Sequence, residues 1–154
     1  MARPAALASC PPRRPSALGA VKATMLVTDL GFVLYWATAL LGLIPAELAY
    51  KDYTDPVMTD WNYSFLPLDA AASATGLAAL VLARRGRPGW RTLMTVSLTL
   101  TSTAGLQAVA FWALRGDWSP TWWIPNLFLL LFPVPALYLT ARARSRPDRT
   151  DSWN

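Results

Sequence analysis

The chain has 154 residues, 54% of them hydrophobic and only 15% charged, with 14 Lys and Arg against 9 Asp and Glu and a net charge of +5. With its positive mean hydropathy, it is too apolar for an ordinary soluble domain of this size. The absence of histidine and the single Cys10 exclude an internal disulfide, His-ligated zinc or haem and histidine acid–base chemistry, so no cofactor is expected.

Residues 1–23, MARPAALASCPPRRPSALGAVKA, are rich in proline, arginine and alanine without a sustained period, which predicts a disordered basic cytoplasmic tail. A secretory signal is the rival reading. The apolar run that follows is long for a signal core, contains Asp29 and lacks a small-x-small cleavage site, so a retained helix is expected. Met25 is an alternative start.

The apolar residues then come in four blocks of about twenty, the length that crosses about 30 Å of hydrocarbon. Predicted spans cover about 25–45, 64–83, 92–114 and 122–141 of a transmembrane domain over 24–141, followed by a basic cytoplasmic tail at 142–154. Asp29 stands near the start of the first span in TDLGFVLYW, where Thr28 or Asp29 reads as the N-cap. The alternative is an intramembrane proton or cation carrier.

The first outer loop, PAELAYKDYTDPVMTDWNYSF, interleaves Glu47, Asp52, Asp55 and Asp60 with four aromatic rings and reads as an acidic loop at the outer interface. A hard-cation site on Asp52, Asp55 and Asp60 is the lesser reading, because no EF-hand spacing is present. In the second span, Ala72 and Gly76 stand at small-xxx-small spacing, as do Ala104 and Ala108 in the third. These two helices are expected to approach closely. Along the third, Thr92, Thr95, Thr99, Thr103 and Gln107 fall within an arc of about 120°, predicted to face the interior. The second outer loop, RGDWSPTWW, places Arg115 and Asp117 in a charged turn. Five of the 8 tryptophans (Trp61, Trp112, Trp118, Trp122 and Trp123) gather on that side. In the fourth span, NLFLLLFPVPALYL predicts a kink near Pro133.

Basic residues set the orientation. Arg3, Arg13, Arg14 and Lys22 precede the first span, Arg84, Arg85, Arg87 and Arg91 separate the second and third, and Arg142, Arg144, Arg146 and Arg149 follow the fourth. Only Lys51 and Arg115 lie in the other loops, which places both termini in the cytoplasm. The positive charge is thus a topology signal, and no nucleic-acid partner is expected.

Asp69, Gln107 and Asn126 each lie about 6 to 11 Å below the outer boundary, in one layer. The bland reading is a hydrogen-bond network that holds the bundle together. The functional one is a small outward-facing pocket lined by Asp69, Gln107, Asn126, Arg115, Trp112 and Trp123. Asp69 is the central residue of that reading, since an amide would serve as glue where a carboxylate is costly.

TDLGFVLYW, YKDYTDP, NYSFLPLD, SLTLTSTAGLQAVAFWALRGDW and WWIPNLFLLLFP together resemble the YvaD-like family of small bacterial four-helix membrane proteins, over roughly Thr28 to Pro135. The resemblance implies four spans and a bacterial plasma-membrane location, and supplies no activity. The expected protein is an all-α, four-transmembrane-helix bundle with both termini cytoplasmic. It would be a binding or accessory protein holding a small amphipathic ligand, a lipid or a partner membrane helix. The alternative is an oligomeric proton- or cation-coupled small transporter using Asp69 or Asp29; the absence of an inverted repeat weighs against it. An intramembrane enzyme using Asp69 with Arg115 or Tyr63 is weaker still, without a nucleophile motif.

Overall fold

A computed structural model describes residues 17–144, and among them all regular structure is helical. In chain order the helices are α1 (Ala17–Leu40), α2 (Ala46–Ala49), α3 (Pro56–Tyr63), α4 (Leu66–Arg84), α5 (Trp90–Leu114), α6 (Pro120–Leu131) and α7 (Pro133–Arg144). Four apolar stretches, Ala17–Leu40, Pro56–Arg84, Trp90–Leu114 and Pro120–Tyr138, are long and apolar enough to cross a membrane.

α1 begins earlier than its sequence suggests. Ala17 to Ala23, assigned to the disordered tail, are helical, because Leu18 and Val21 pack on the core and Lys22 Nζ sits 4.3 Å from the centroid of the Trp90 ring. Tertiary packing supplies the stability that a short isolated turn lacks. The rest of that tail, residues 1–16, and most of the C-terminal tail, residues 145–154, lie outside the described residues; residues 142–144 belong to α7.

The acidic segment between the first two predicted spans is largely helical or turned. Asp55 accepts the backbone N–H of Val57 at 2.9 Å, Pro56 takes the first helical turn, and α3 follows where a loop was expected. α5 ends in a turn that needs a left-handed residue. Gly116 has φ +66°, its N–H bonds the Ala113 carbonyl, and the Asp117 N–H bonds the Trp112 carbonyl. This Schellman closure satisfies carbonyls the helix leaves open and turns Asp117 back over the bundle end. The fourth apolar stretch is interrupted at Phe132, between α6 and α7, at the position where Pro133 predicted a kink.

α5 is the central helix, packed against α4, α6 and α7, while α1 packs against α4 and α7. The broadest interface joins α4 to α5, where Ala72, Gly76, Ala104 and Ala108 are all buried. The predicted close approach of these two helices is present. Met25, Ala79, Leu80, Met94, Leu98 and Ala136 fill the bundle at the end nearest Lys22. Outward faces are apolar: Val27, Leu34, Leu106 and Ile124 are exposed, whereas Asp29, Asp69, Ser73, Ser97 and Thr101 are buried. Polar groups inside and apolar groups outside is the pattern a hydrocarbon solvent favours.

The threonine stripe of α5 corrects the sequence reading. The buried residues of this helix are Met94, Ser97, Leu98, Thr101, Ala104, Gly105, Ala108 and Trp112. At 100° per residue the Thr92–Gln107 stripe is centred about 180° away from them. Thr95, Thr99 and Thr103 each donate to the carbonyl one turn back, at 2.8 to 2.9 Å. Their hydroxyls are satisfied within the helix and need no interior. Small residues decide which face packs, because they let backbones approach.

Candidate functional site

The end of the bundle opposite Lys22 is open. A cleft of about 270 Å³ lies between α1, the α2–α3 segment, α4, α5 and α6. Five aromatic residues, Trp36, Trp61, Trp112, Trp122 and Tyr50, form much of its wall. The rings brace one another: Trp61 stacks on Phe111 at 4.1 Å and meets Trp112 edge-on at 5.5 Å, and Trp112 faces Trp122 at 6.3 Å. Such rings bring large apolar area at a small entropic cost.

Asp69 lies on the first turn of α4 and is 6% exposed. Its Oδ2 accepts the indole N–H of Trp36 at 2.9 Å, in a buried hydrogen bond between α4 and α1. Its Oδ1 is buried and has no hydrogen-bond partner. Nearby, the Tyr35 hydroxyl lies 3.2 Å from both the Asn62 Oδ1 and the Ala49 carbonyl, either of which can accept its proton. The Asn62 Nδ2 is likewise buried without a partner. Asp69 and Asn62, both in the lining of the cleft, thus each carry one buried polar atom without a partner among largely apolar neighbours. Polar groups buried this way are normally paired.

Lys51 stands at the rim. Its ammonium donates to the Asp117 carboxylate and lies 5.5 Å from the centroid of the Trp112 ring. Asp117 also accepts the backbone N–H of Ser119 at 3.2 Å, and its carbonyl accepts the Trp123 indole N–H at 2.6 Å. The Lys51 hydrogen bond, then that of Ser119, holds the Asp117 carboxyl below its ordinary range. A carboxylate with a depressed folded pKa contributes stability above its unfolded pKa and loses it as pH falls through the folded one. On acidification from about pH 7 to about pH 3, the wild-type melting temperature is expected to fall more steeply than that of Asp117→Asn. Superimposable acid limbs in thermal melts of the two proteins would refute a stabilising tie across the rim.

Of the residues assigned to a pocket from sequence, Asp69, Asn126 and Trp112 line the cleft. Asn126 is partly committed, since its Nδ2 donates to the Trp122 carbonyl at 2.6 Å. Gln107 is exposed on the far face of α5 and does not join Asp69. Arg115 is also exposed, 4.0 Å from Asp52, in a pair worth little in water. Trp123 stacks on Trp118 at 4.6 Å, beside the cleft rather than in its wall. Asp29 is not an N-cap: it lies in the middle of α1 and is fully buried against Gly76 of α4. It does not line the cleft. Trp36 and Asp69 form one layer and Asp29 and Gly76 a deeper one, about 10 Å apart at seven residues along each helix.

Sequence reasoning missed Trp36, Tyr35, Asn62 and Lys51. Trp36 had a legible signal, seven residues after Asp29 and therefore on the same face of α1. Lys51 and Asn62 had none, because the path of the α2–α3 segment over the bundle end depends on tertiary contacts.

Residues 21–146 match the family of unknown function (DUF5360). The chain is similar to the Uncharacterized protein YvaD of Bacillus subtilis (strain 168), with 42% identity over 130 residues that cover 84% of this chain and 98% of that protein. No solved structure matches it.

Proposed function

We propose, from the premise that the chain belongs to this YvaD-like family of unknown function (DUF5360), that it is a multi-pass protein of a bacterial plasma membrane that binds a small amphipathic molecule in its aromatic cleft. The observation that carries this reading is a concave, largely aromatic wall whose lining includes Asp69 and Asn62, each with one buried polar atom that has no hydrogen-bond partner. Ligand sites share that composition, a few oriented polar groups in an apolar enclosure.

A cytoplasmic location for both termini is supported by the 12 Lys and Arg that flank one end of the spans against two at the other. Lys22, Arg84, Arg85 and Arg91 mark the cytoplasmic end, so the cleft beside Lys51 opens outward. A binding role is preferred to transport because Asp29 is outside the cleft and the Met25–Leu98 core fills the bundle below it.

The test is a thermal-shift series on the full chain in detergent with amphiphiles of one short chain length, an alcohol, a monoacylglycerol, a phospholipid and an amine. At about a hundredfold excess over Kd, a ligand that enters the cleft is expected to raise the melting temperature by about 5 °C or more. Trp112→Ala should remove most of that shift. A wild-type protein that none of the four classes stabilises would overturn the reading.

A further inference from the structure

Building on the cleft as a binding site, we infer that its ligand carries an alkylated ammonium group, seated between Asp69 and the aromatic wall. Asp69 is a carboxylate with one oxygen committed to Trp36 and the other without a partner. Buried carboxylates are costly without a compensating positive charge or proton. The two basic side chains at this end are already engaged, Lys51 with the Asp117 carboxylate and Arg115 beside Asp52 and the Phe111 ring.

The surroundings select the kind of cation. Trp36, Trp61, Trp112, Trp122 and Tyr50 offer ring faces and edges, and Asp69 is the single carboxylate of the lining, beside neutral hydroxyls and amides. A metal ion such as calcium or magnesium needs six or more oxygen ligands, and the described residues contain no cluster of three metal-ligating side chains. An alkylammonium spreads its charge over carbon, sheds water readily and is attracted to the faces of indole and phenol rings. The chain already shows this contact at the rim, where the Lys51 ammonium lies over Trp112. The Asn62 Nδ2 would meet an acceptor on the same ligand. About 270 Å³ admits a small ammonium head with a short polar or apolar extension.

The same chemistry is carried by free quaternary amines and by lipid headgroups. The experiment titrates the full chain, in nanodiscs of phosphatidylglycerol, with choline and with 3,3-dimethylbutan-1-ol, in which carbon replaces the charged nitrogen. The readout is the fluorescence of the tryptophans that line the cleft. Choline is expected to saturate the signal at least tenfold more tightly than its uncharged isostere, and Asp69→Asn to erase that preference. Loss of choline binding when phosphatidylcholine is added to the nanodisc would assign the site to the lipid headgroup. Unchanged binding would assign it to a free cation.

Equal binding of choline and the isostere would overturn the ammonium assignment while leaving the cleft a binding site; Asp69 would then carry a proton. Binding of neither would also overturn the ammonium assignment, and the cleft reading falls with it only where the four amphiphile classes likewise fail to raise the melting temperature. The comparison of the two probes on wild-type protein stands even where Asp69→Asn fails to fold.

Discussion

Gly105→Ala is expected to lower the melting temperature by about 6 °C or more, corresponding to about 3 kcal/mol of overpacking. A methyl group on Gly105 would stand 2.5 Å from the Leu130 nitrogen, 2.7 Å from the Asn126 oxygen and 2.9 Å from the Leu129 carbonyl carbon. All three are backbone atoms of α6, so no side-chain rotation relieves the contact; the two helices must separate. Separation would also break the bond from Ser102 Oγ to the Leu130 carbonyl, now 3.0 Å. Because α6 carries Trp122 and Asn126 into the cleft, the same substitution should weaken any ligand-induced shift. Gly31→Ala is the control, since nothing lies within 4 Å of its added carbon. It should stabilise by up to about 1 kcal/mol through helix propensity. Equal melting temperatures for Gly105→Ala and wild type would mean that α5 and α6 do not touch as described.

The second large effect lies in the deeper layer. Gly76→Ala would bring its new carbon within 2.0 Å of Asp29 Oδ2 and 2.6 Å of Ser97 Oγ. The two oxygens are therefore at most about 4.6 Å apart, the sum of those distances. Asp29 is fully enclosed, and its two oxygens, Thr28 Oγ1 and Ser97 Oγ are all buried without hydrogen-bond partners. The added methyl should cost about 1–3 kcal/mol. Asp29→Ala removes both the obstruction and two unpaired polar atoms, and should itself be close to neutral, because an unpaired buried polar group costs about as much as the packing it supplies. In that background Gly76→Ala should lose most of its effect, a coupling of about 1 kcal/mol or more in a double-mutant cycle. Strict additivity in thermal or chemical unfolding would show that Asp29 does not occupy the space over Gly76.

Helical class and span number were legible because they are one-dimensional: twenty apolar residues in a row have few other uses. The small-xxx-small pairs announced the α4–α5 contact for a similarly local reason, as a gap in side-chain volume permits backbone approach. Asp69 was singled out correctly as a buried carboxylate, because its cost in hydrocarbon forces it inward. Gln107 lies on the exposed face because the polarity of one amide does not set the facing of a whole helix. The threonines beside it satisfy themselves, and Ser97, Ala104, Gly105 and Ala108 outweigh them by allowing close packing.

Asp29 was misread for a related reason. An N-cap depends on where a helix begins, and α1 begins at Ala17 because Leu18 and Val21 pack on the core cluster and Lys22 meets Trp90 of α5, partners that are mostly distant in sequence. Helical class, the number of apolar stretches, the family resemblance and the charge asymmetry from which an orientation is proposed are all properties of residues close along the chain. Tertiary structure alone decided which face of α5 is buried, that Trp36 meets Asp69, and that the α2–α3 segment brings Lys51 and Asn62 to the cleft. Composition and spacing act along the chain, whereas these contacts join residues tens of positions apart, whose meeting is set by competition among whole helix faces for burial.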